Sequence, residues 1–170
     1  MTWIPSASQT VGPFFNFALT ADAALGVLGG AGERIQLRFR VTDGNGEPAS
    51  TDALIEIWQA DAGGRYGQPD FRGFGRLETD DAGMCTFDTV KPGAVGAQAP
   101  HINVAVFARG LLKQLYTRVY FAGEPLNASD PILALVPEGR RATLMAKQAG
   151  SAWCFEVRLQ GDAETVFFDV

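Results

Sequence analysis

Between Ile35 and Val41 the side chains alternate without a break, with Ile35, Leu37, Phe39 and Val41 set against Gln36, Arg38 and Arg40. A strand points successive side chains to opposite faces, so this run has one apolar and one wet face only as β-structure. On a helix the same four apolar residues would be scattered around the axis. Such a strand needs a second layer to cover its apolar side. Further strands are expected over Leu54–Gln59, Ile102–Val106, Leu115–Phe121 and Trp153–Leu159, with a sixth over Thr165–Phe168. Asp43-Gly44-Asn45-Gly46 supplies residues that tolerate positive φ, a hairpin-type turn. Helical signals are weak: Ala21–Leu28, a short helix capped by Ser129-Asp130-Pro131, and a turn or two within Glu138–Ala146. Many short strands separated by Gly, Pro and Asp predict an all-β, antiparallel β-sandwich. Residues 1–170 are expected to form one domain, with residues 1–30 as an N-terminal arm.

The chain has 170 residues and a net charge of −5, and it lacks the basic stripe that a nucleic-acid partner would require. It contains no run of about 18 apolar residues, so no membrane helix is expected. Met1-Thr2-Trp3-Ile4-Pro5 does not resemble a signal peptide, which leaves a soluble cytoplasmic protein as the expectation. Cys85 and Cys154 are too few for a disulfide framework and sit in strand-like runs, as buried free thiols would. His101 is the only histidine, and there are three tyrosines.

Three segments go beyond generic sandwich sequence. In Ser8-Gln9-Thr10-Val11-Gly12-Pro13-Phe14-Phe15 a Gly-Pro kink precedes two aromatic anchors, as in an arm pinned to a core. Ile55 to Tyr66 runs a buried strand into a Gly63-Gly64 turn that presents Tyr66. Val90-Lys91-Pro92-Gly93, a short loop, and Ala99-Pro100-His101-Ile102-Asn103 place one imidazole at the start of a strand. Sheet ends of this kind are where sites are often built.

In this order the segments resemble the intradiol ring-cleaving dioxygenases, ferric enzymes that split catechols between their two hydroxyls. The similarity continues through Phe107-Ala108-Arg109-Gly110, Thr117 to Phe121, Arg140-Arg141 and the tail from Gln160 to Asp169. Within the family, the Arg109 segment and the tail resemble the alpha chains of the heteromeric members that cleave protocatechuate (3,4-dihydroxybenzoate).

The resemblance implies Fe(III) held by two tyrosines and two histidines in catalytic chains. Here Tyr66 and His101 match one position of each kind. Asn103 stands at the second histidine position, and Ala94-Val95 follow the Lys91-Pro92-Gly93 turn where the second tyrosine belongs. With one histidine the chain cannot supply two, so the expectation is no metal site of its own and a vestigial role for Tyr66, His101 and Asn103. The resemblance further implies an αβ hetero-oligomer whose beta chain holds the Fe(III). O2-dependent cleavage there would give 3-carboxy-cis,cis-muconate. Thr10, Gly12 and Pro13 of the arm, with Arg109, would contribute to substrate binding, the guanidinium serving the substrate carboxylate. Arg118, Arg140 and Arg141 read as interface or surface residues. The competing reading is a stand-alone sandwich that binds or carries an aromatic acid.

Overall fold

The computed structural model describes residues 6–10, 12, 18–20, 23–49 and 53–169. Its strands are β1 (Arg34–Thr42), β2 (Ala53–Gln59), β3 (Phe74–Glu78), β4 (Met84–Val90), β5 (His101–Ala108), β6 (Leu115–Phe121), β7 (Met145–Ala149) and β8 (Ala152–Arg158). They hydrogen-bond in the order β3-β2-β5-β6-β7-β8-β1-β4. β7 is the corner: Met145 and Ala146 pair with β6, whereas Lys147, Gln148 and Ala149 pair with β8. The sheet therefore folds over on itself, and its halves meet through one apolar core.

That core follows from the alternation. Leu37, Phe39 and Val41 of β1 are fully buried, and they share a cluster with Ile55, Ile57, Val106, Val119 and Phe121 from the other half. Phe39 meets Phe87 and Phe155 edge-on at 5.8 Å, and Phe121 meets Trp153 the same way at 5.0 Å. These are the edge-to-face geometries that aromatic quadrupoles favour. One polar group crosses the core without penalty. Gln59 donates to Val90 O at 2.9 Å and accepts from Thr89 Oγ1 at 2.9 Å, so its buried amide is paired on both sides.

The sandwich expectation holds, with two corrections. The pairing is not wholly antiparallel, since β1 runs parallel to β8 and β6 parallel to β7. Thr165–Phe168 is not a strand. Its backbone and hydroxyl are spent on Arg158, and only Phe168 reaches a bridge, to Tyr116. β3 and β7 were not expected, being five residues each with little alternation, and β4 was signalled only by the strand-like run around Cys85. The Asp43–Gly46 turn forms, but the chain leaves it after one bridge, Thr42 to Pro48, and crosses to the other half.

The helical signals become 3-10 turns at Ala23–Gly26, Pro125–Ser129, Leu133–Leu135 and Glu138–Leu144. No helix among the described residues is long and apolar enough to cross a membrane. Cys85 is buried and Cys154 half-buried, and both thiols are free.

Candidate functional site

The outer face of β3-β2-β5-β6 follows directly from the strand register. Trp58 pairs with Phe74 on one side and Asn103 on the other, and Asn103 pairs with Arg118. A second row contains Arg76, Glu56, Ala105 and Tyr116. These rows floor an open cavity of about 490 Å³, which Leu135 and Phe168 also line. Trp58 and Tyr116 remain 43% and 37% exposed, so this half of the sheet presents aromatic surface outward. Arg76 pairs with Glu56 and lies over the Phe74 ring at 5.3 Å, which leaves Glu56 neutralised.

Tyr66 is delivered to this face by two turns that support each other. Asp61 Oδ1 accepts the Gly63 and Arg65 backbone N–H groups at 2.9 and 2.8 Å. The Arg65 N–H is the main reason the Asp61 carboxyl sits below its usual range, against the opposing pull of desolvation. Gly93 N donates to Asp61 O at 2.9 Å, so the turn after Lys91 backs the turn before Tyr66. Gly64 has φ +75° and lies where a Cβ would meet Ala94 O at 1.9 Å, so only glycine fits. Tyr66 then stacks on Trp58 with centroids 5.9 Å apart, and its hydroxyl accepts from Asn103 Nδ2 at 3.1 Å.

His101 begins β5 and is 2% exposed. Its Nδ1 lies 2.7 Å from Ala99 O, an acceptor only, so Nδ1 carries the proton. The same strand start is fixed by Asp130, 1% exposed, which accepts from Ala99 N, Tyr120 Oη, Ile132 N and Leu133 N at 2.7–3.1 Å. Burial pushes the Tyr120 phenol up to about 12, which keeps it a donor. His101 and Tyr66 are thus bonded to backbone and to Asn103, not to each other.

Burial holds the His101 imidazole below the usual histidine range. The Ala99 hydrogen bond and Asp130 oppose this, and Arg118 adds to it. The unfolded chain binds its proton near pH 6.5, before the folded chain does, so stability falls as pH drops from 6.5 toward the lowered folded value. The slope from this group is at most about 1.4 kcal/mol per pH unit. His101→Asn is expected to flatten the stability profile between pH 6.5 and 5.5 in urea titrations, and an unchanged slope would refute the assignment.

The arm and Arg109 lie elsewhere. Arg109 and Gly110 form the exposed turn just after β5, at the opposite end of that strand from His101. Eight residues of extended strand separate His101 from Arg109 by roughly 25 Å. Across 100 residues of sequence, Thr10 Oγ1 accepts the Gly110 N–H at 2.6 Å, so the arm touches the Arg109 turn. Gly12 is exposed, and a Cβ there would meet open space, so nothing in this chain's described residues demands glycine. Pro13 lies outside the described residues. The candidate residues therefore fall into two groups: Tyr66, His101 and Asn103 at one end, Thr10 and Arg109 at the other.

Sequence reasoning did not single out Trp58, Phe74 and Tyr116 as site-lining residues, and it read Arg118 as interface or surface. Arg118 bonds Gln98 Oε1 at 2.6 Å and lies close enough to Tyr66, His101 and Tyr120 to bias all three electrostatically. The parity of β2 marks Trp58 as outward, but which residues stand beside it depends on register between strands distant in sequence. Arg140 and Arg141 bond backbone carbonyls of Glu164, Val136 and Ala134, a structural use.

The donor set does not fit the ferric site of the family. Burial is the main force raising the Tyr66 phenol above its ordinary value, which disfavours the phenolate a ferric ion needs. One imidazole is available, Asn103 offers an amide already bonded to Tyr66, and Ala94 and Val95 carry no donor side chain. Four ligands of the required kinds are not present.

Comparison with known proteins gives a consistent result. The family described as Dioxygenase matches residues 19–161. The chain is 41% identical over 190 aligned positions to the protocatechuate 3,4-dioxygenase alpha chain of Burkholderia cepacia, covering 96% of each chain. The alpha chain of Pseudomonas putida is also 41% identical, with 95% of this chain and 94% of that one covered. The Burkholderia cepacia beta chain is 39% identical over 68% of this chain and 56% of its own length. Among solved structures, the dioxygenase domain of a carbohydrate-binding fusion protein from Streptomyces sp. SirexAA-E superposes with a TM-score of 0.64 at 30% identity, covering 77% and 82% of the two chains. The 3-chlorocatechol 1,2-dioxygenase of Rhodococcus opacus 1CP shares the fold, with a TM-score of 0.61 at 21% identity over 93% of this chain and 68% of that one. From the matched family and the near full-length identity, this chain belongs to the intradiol dioxygenase family, alongside its alpha chains.

Proposed function

We propose that this chain is the alpha subunit of a protocatechuate 3,4-dioxygenase. In that role it completes the active site of a beta subunit that holds the non-haem ferric ion. The observation that carries this reading is the start of β5, where one buried imidazole is tied to Ala99 O and Asn103 stands two residues on. A chain so equipped contributes to the chemistry through a partner's pocket. The cytoplasm is the expected compartment, and an αβ hetero-oligomer the expected form.

The ferric ion, held by the beta chain, would activate the bound catechol toward O2, and 3,4-dihydroxybenzoate would be opened to 3-carboxy-cis,cis-muconate. This chain's own part is binding and orientation. Arg109 supplies a rigid guanidinium fork to the substrate carboxylate. Thr10 holds the arm against the Arg109 turn, so Thr10 and Gly12 stand on the side from which the substrate would enter. Two observations support this assignment: the Thr10–Gly110 hydrogen bond, and the separation of this group from the Tyr66 end of the chain. Arg109 is too far from Tyr66 and His101 for the two groups to hold one small ligand.

Tyr66, His101 and Asn103 then have a structural role. Tyr66→Phe in the co-expressed complex is expected to leave iron per αβ pair unchanged. It should cost about 1 kcal/mol of stability through the lost Asn103 hydrogen bond. Metal analysis and thermal unfolding measure the two effects, and a fall in bound iron would contradict the reading.

A further inference from the structure

A second concave surface lies on the outer face of β7-β8-β1, on the half of the sheet that carries neither candidate group. It is a groove of about 540 Å³. Lys147 pairs in register with Cys154, and Cys154 with Arg38, so two cations flank one half-buried thiol. Their backbones are two strand spacings apart, about 10 Å, and Arg40 stands about 7 Å further along β1. Met84 and Met145 give the groove an apolar component.

The charge pattern is unusual for this molecule. The chain is acidic overall, with 19 Asp and Glu against 14 Lys and Arg. Of the other cations, Arg65, Arg76, Lys91 and Lys113 pair with carboxylates, as does Arg158 at the groove itself, while Arg72 is exposed on a loop outside the groove. Arg34, Arg118, Arg140 and Arg141 bond backbone or amide oxygens. Arg38, Arg40 and Lys147 make no ion pair or hydrogen bond among the described residues, and all three line this groove. Its one carboxylate, Glu156, is already bonded to Arg158 at 2.9 Å. Glu156 stands in register with Arg40, so the lining sets four cations against one carboxylate, an excess of positive charge that favours an anionic ligand.

We propose that this groove binds a small polycarboxylate, with two or more carboxylates reaching Arg38, Arg40 and Lys147 while its carbon frame lies on the methionines. Its volume suits a small molecule, and the spacing of the cations rewards an anion with separated charges over a monocarboxylate. Cleavage between two hydroxyl-bearing carbons turns each into a carboxylate, so a dihydroxybenzoate leaves the enzyme as a tricarboxylate. The choice of that product as the natural ligand rests on the proposed function.

Cys154 makes the test direct, because an occupied groove shields it. The co-expressed αβ complex is treated with iodoacetamide, a neutral reagent, at constant ionic strength set with chloride. Alkylation of the Cys154 peptide is followed by mass spectrometry. Benzene-1,2,4-tricarboxylate at about four times its dissociation constant should slow the reaction about fivefold. Benzoate should not, and the protection should vanish in the Arg38→Gln/Lys147→Gln variant. Cys85, buried with its thiol pushed up to about 12, is the unreactive internal control. Four results would overturn the proposal: no slowing, equal slowing by benzoate, slowing that survives in the variant, or a Cys154 already unreactive without ligand because another chain covers the groove. Turnover of 3,4-dihydroxybenzoate by the same preparation keeps the two readings apart. Normal turnover with unprotected Cys154 removes the groove alone, whereas a complex without turnover removes the proposed function.

Discussion

Arg109→Ala, in the co-expressed complex, is expected to lower kcat/KM for 3,4-dihydroxybenzoate by roughly 10- to 100-fold. Catechol-type substrates without the carboxylate should change by less than about threefold. The size follows from the bond: a hydrogen bond to a charged partner contributes about 1.5–3 kcal/mol, and each 1.4 kcal/mol is a factor of ten. The selectivity follows from the chemistry, since the proposed contact forms only when the substrate carries a carboxylate. The loss should fall mainly on KM, because the carboxylate contact is made in ground and transition states alike. Steady-state kinetics on the two substrates decide the matter. An equal loss on both would make Arg109 a structural residue of the turn after β5. Thr10→Ala gives a smaller version of the same test, since it removes the acceptor that holds Gly110 N to the arm.

The largest stability effect is expected at Asp130. Its carboxylate, 1% exposed, accepts from three backbone N–H groups and the Tyr120 hydroxyl. Asp130→Ala strands all four donors where water cannot easily replace the lost oxygen atoms. Each buried unsatisfied donor costs about 1–3 kcal/mol, and partial relaxation should leave a net loss of roughly 3–5 kcal/mol. For a chain of this size that is a fall in Tm of about 10 °C. Asp130→Asn keeps one acceptor oxygen and the side-chain shape, so it should lose clearly less. Scanning calorimetry of the two variants tests the assignment. A Tm within about 2 °C of the parent for Asp130→Ala, under 1 kcal/mol at this size, would show that the network carries little.

How far the sequence reveals these features depends on how local the cause is. β1 was legible because its alternation is carried by adjacent residues, and its inner positions are the buried ones. The turn at Asp130 was only partly legible: its carboxylate takes the Ile132 and Leu133 N–H groups, but the 3-10 helix starts at Leu133, two residues beyond the expected Pro131. The carboxylate's two longest-range bonds, to Ala99 and Tyr120, were not legible. β3 and β7 were missed because they are five residues long with little alternation, although β7 forms a tight hairpin with the adjacent β8. Thr165–Phe168 was misread because an apolar, β-prone run can also close against a strand end, which is what the Arg158 and Tyr116 bonds make it do.

The site divides in the same way. That His101 and Asn103 share a face of β5 is a matter of spacing by two, and Tyr66 follows from a Gly-Gly turn. The row of Phe74, Trp58, Asn103 and Arg118 is set by cross-strand register, which no single segment encodes. The link from Thr10 to the Arg109 turn spans 100 residues, and only the folded chain brings those residues together.

The central claim is that the donors at the start of β5 cannot hold a ferric ion, so this chain acts through its partner's pocket. Iron analysis of the purified, co-expressed αβ complex, alongside quantitation of both chains, tests it most directly. The account predicts one ferric ion per αβ pair. Two per pair, the second bound by Tyr66 and His101 of this chain, would contradict it.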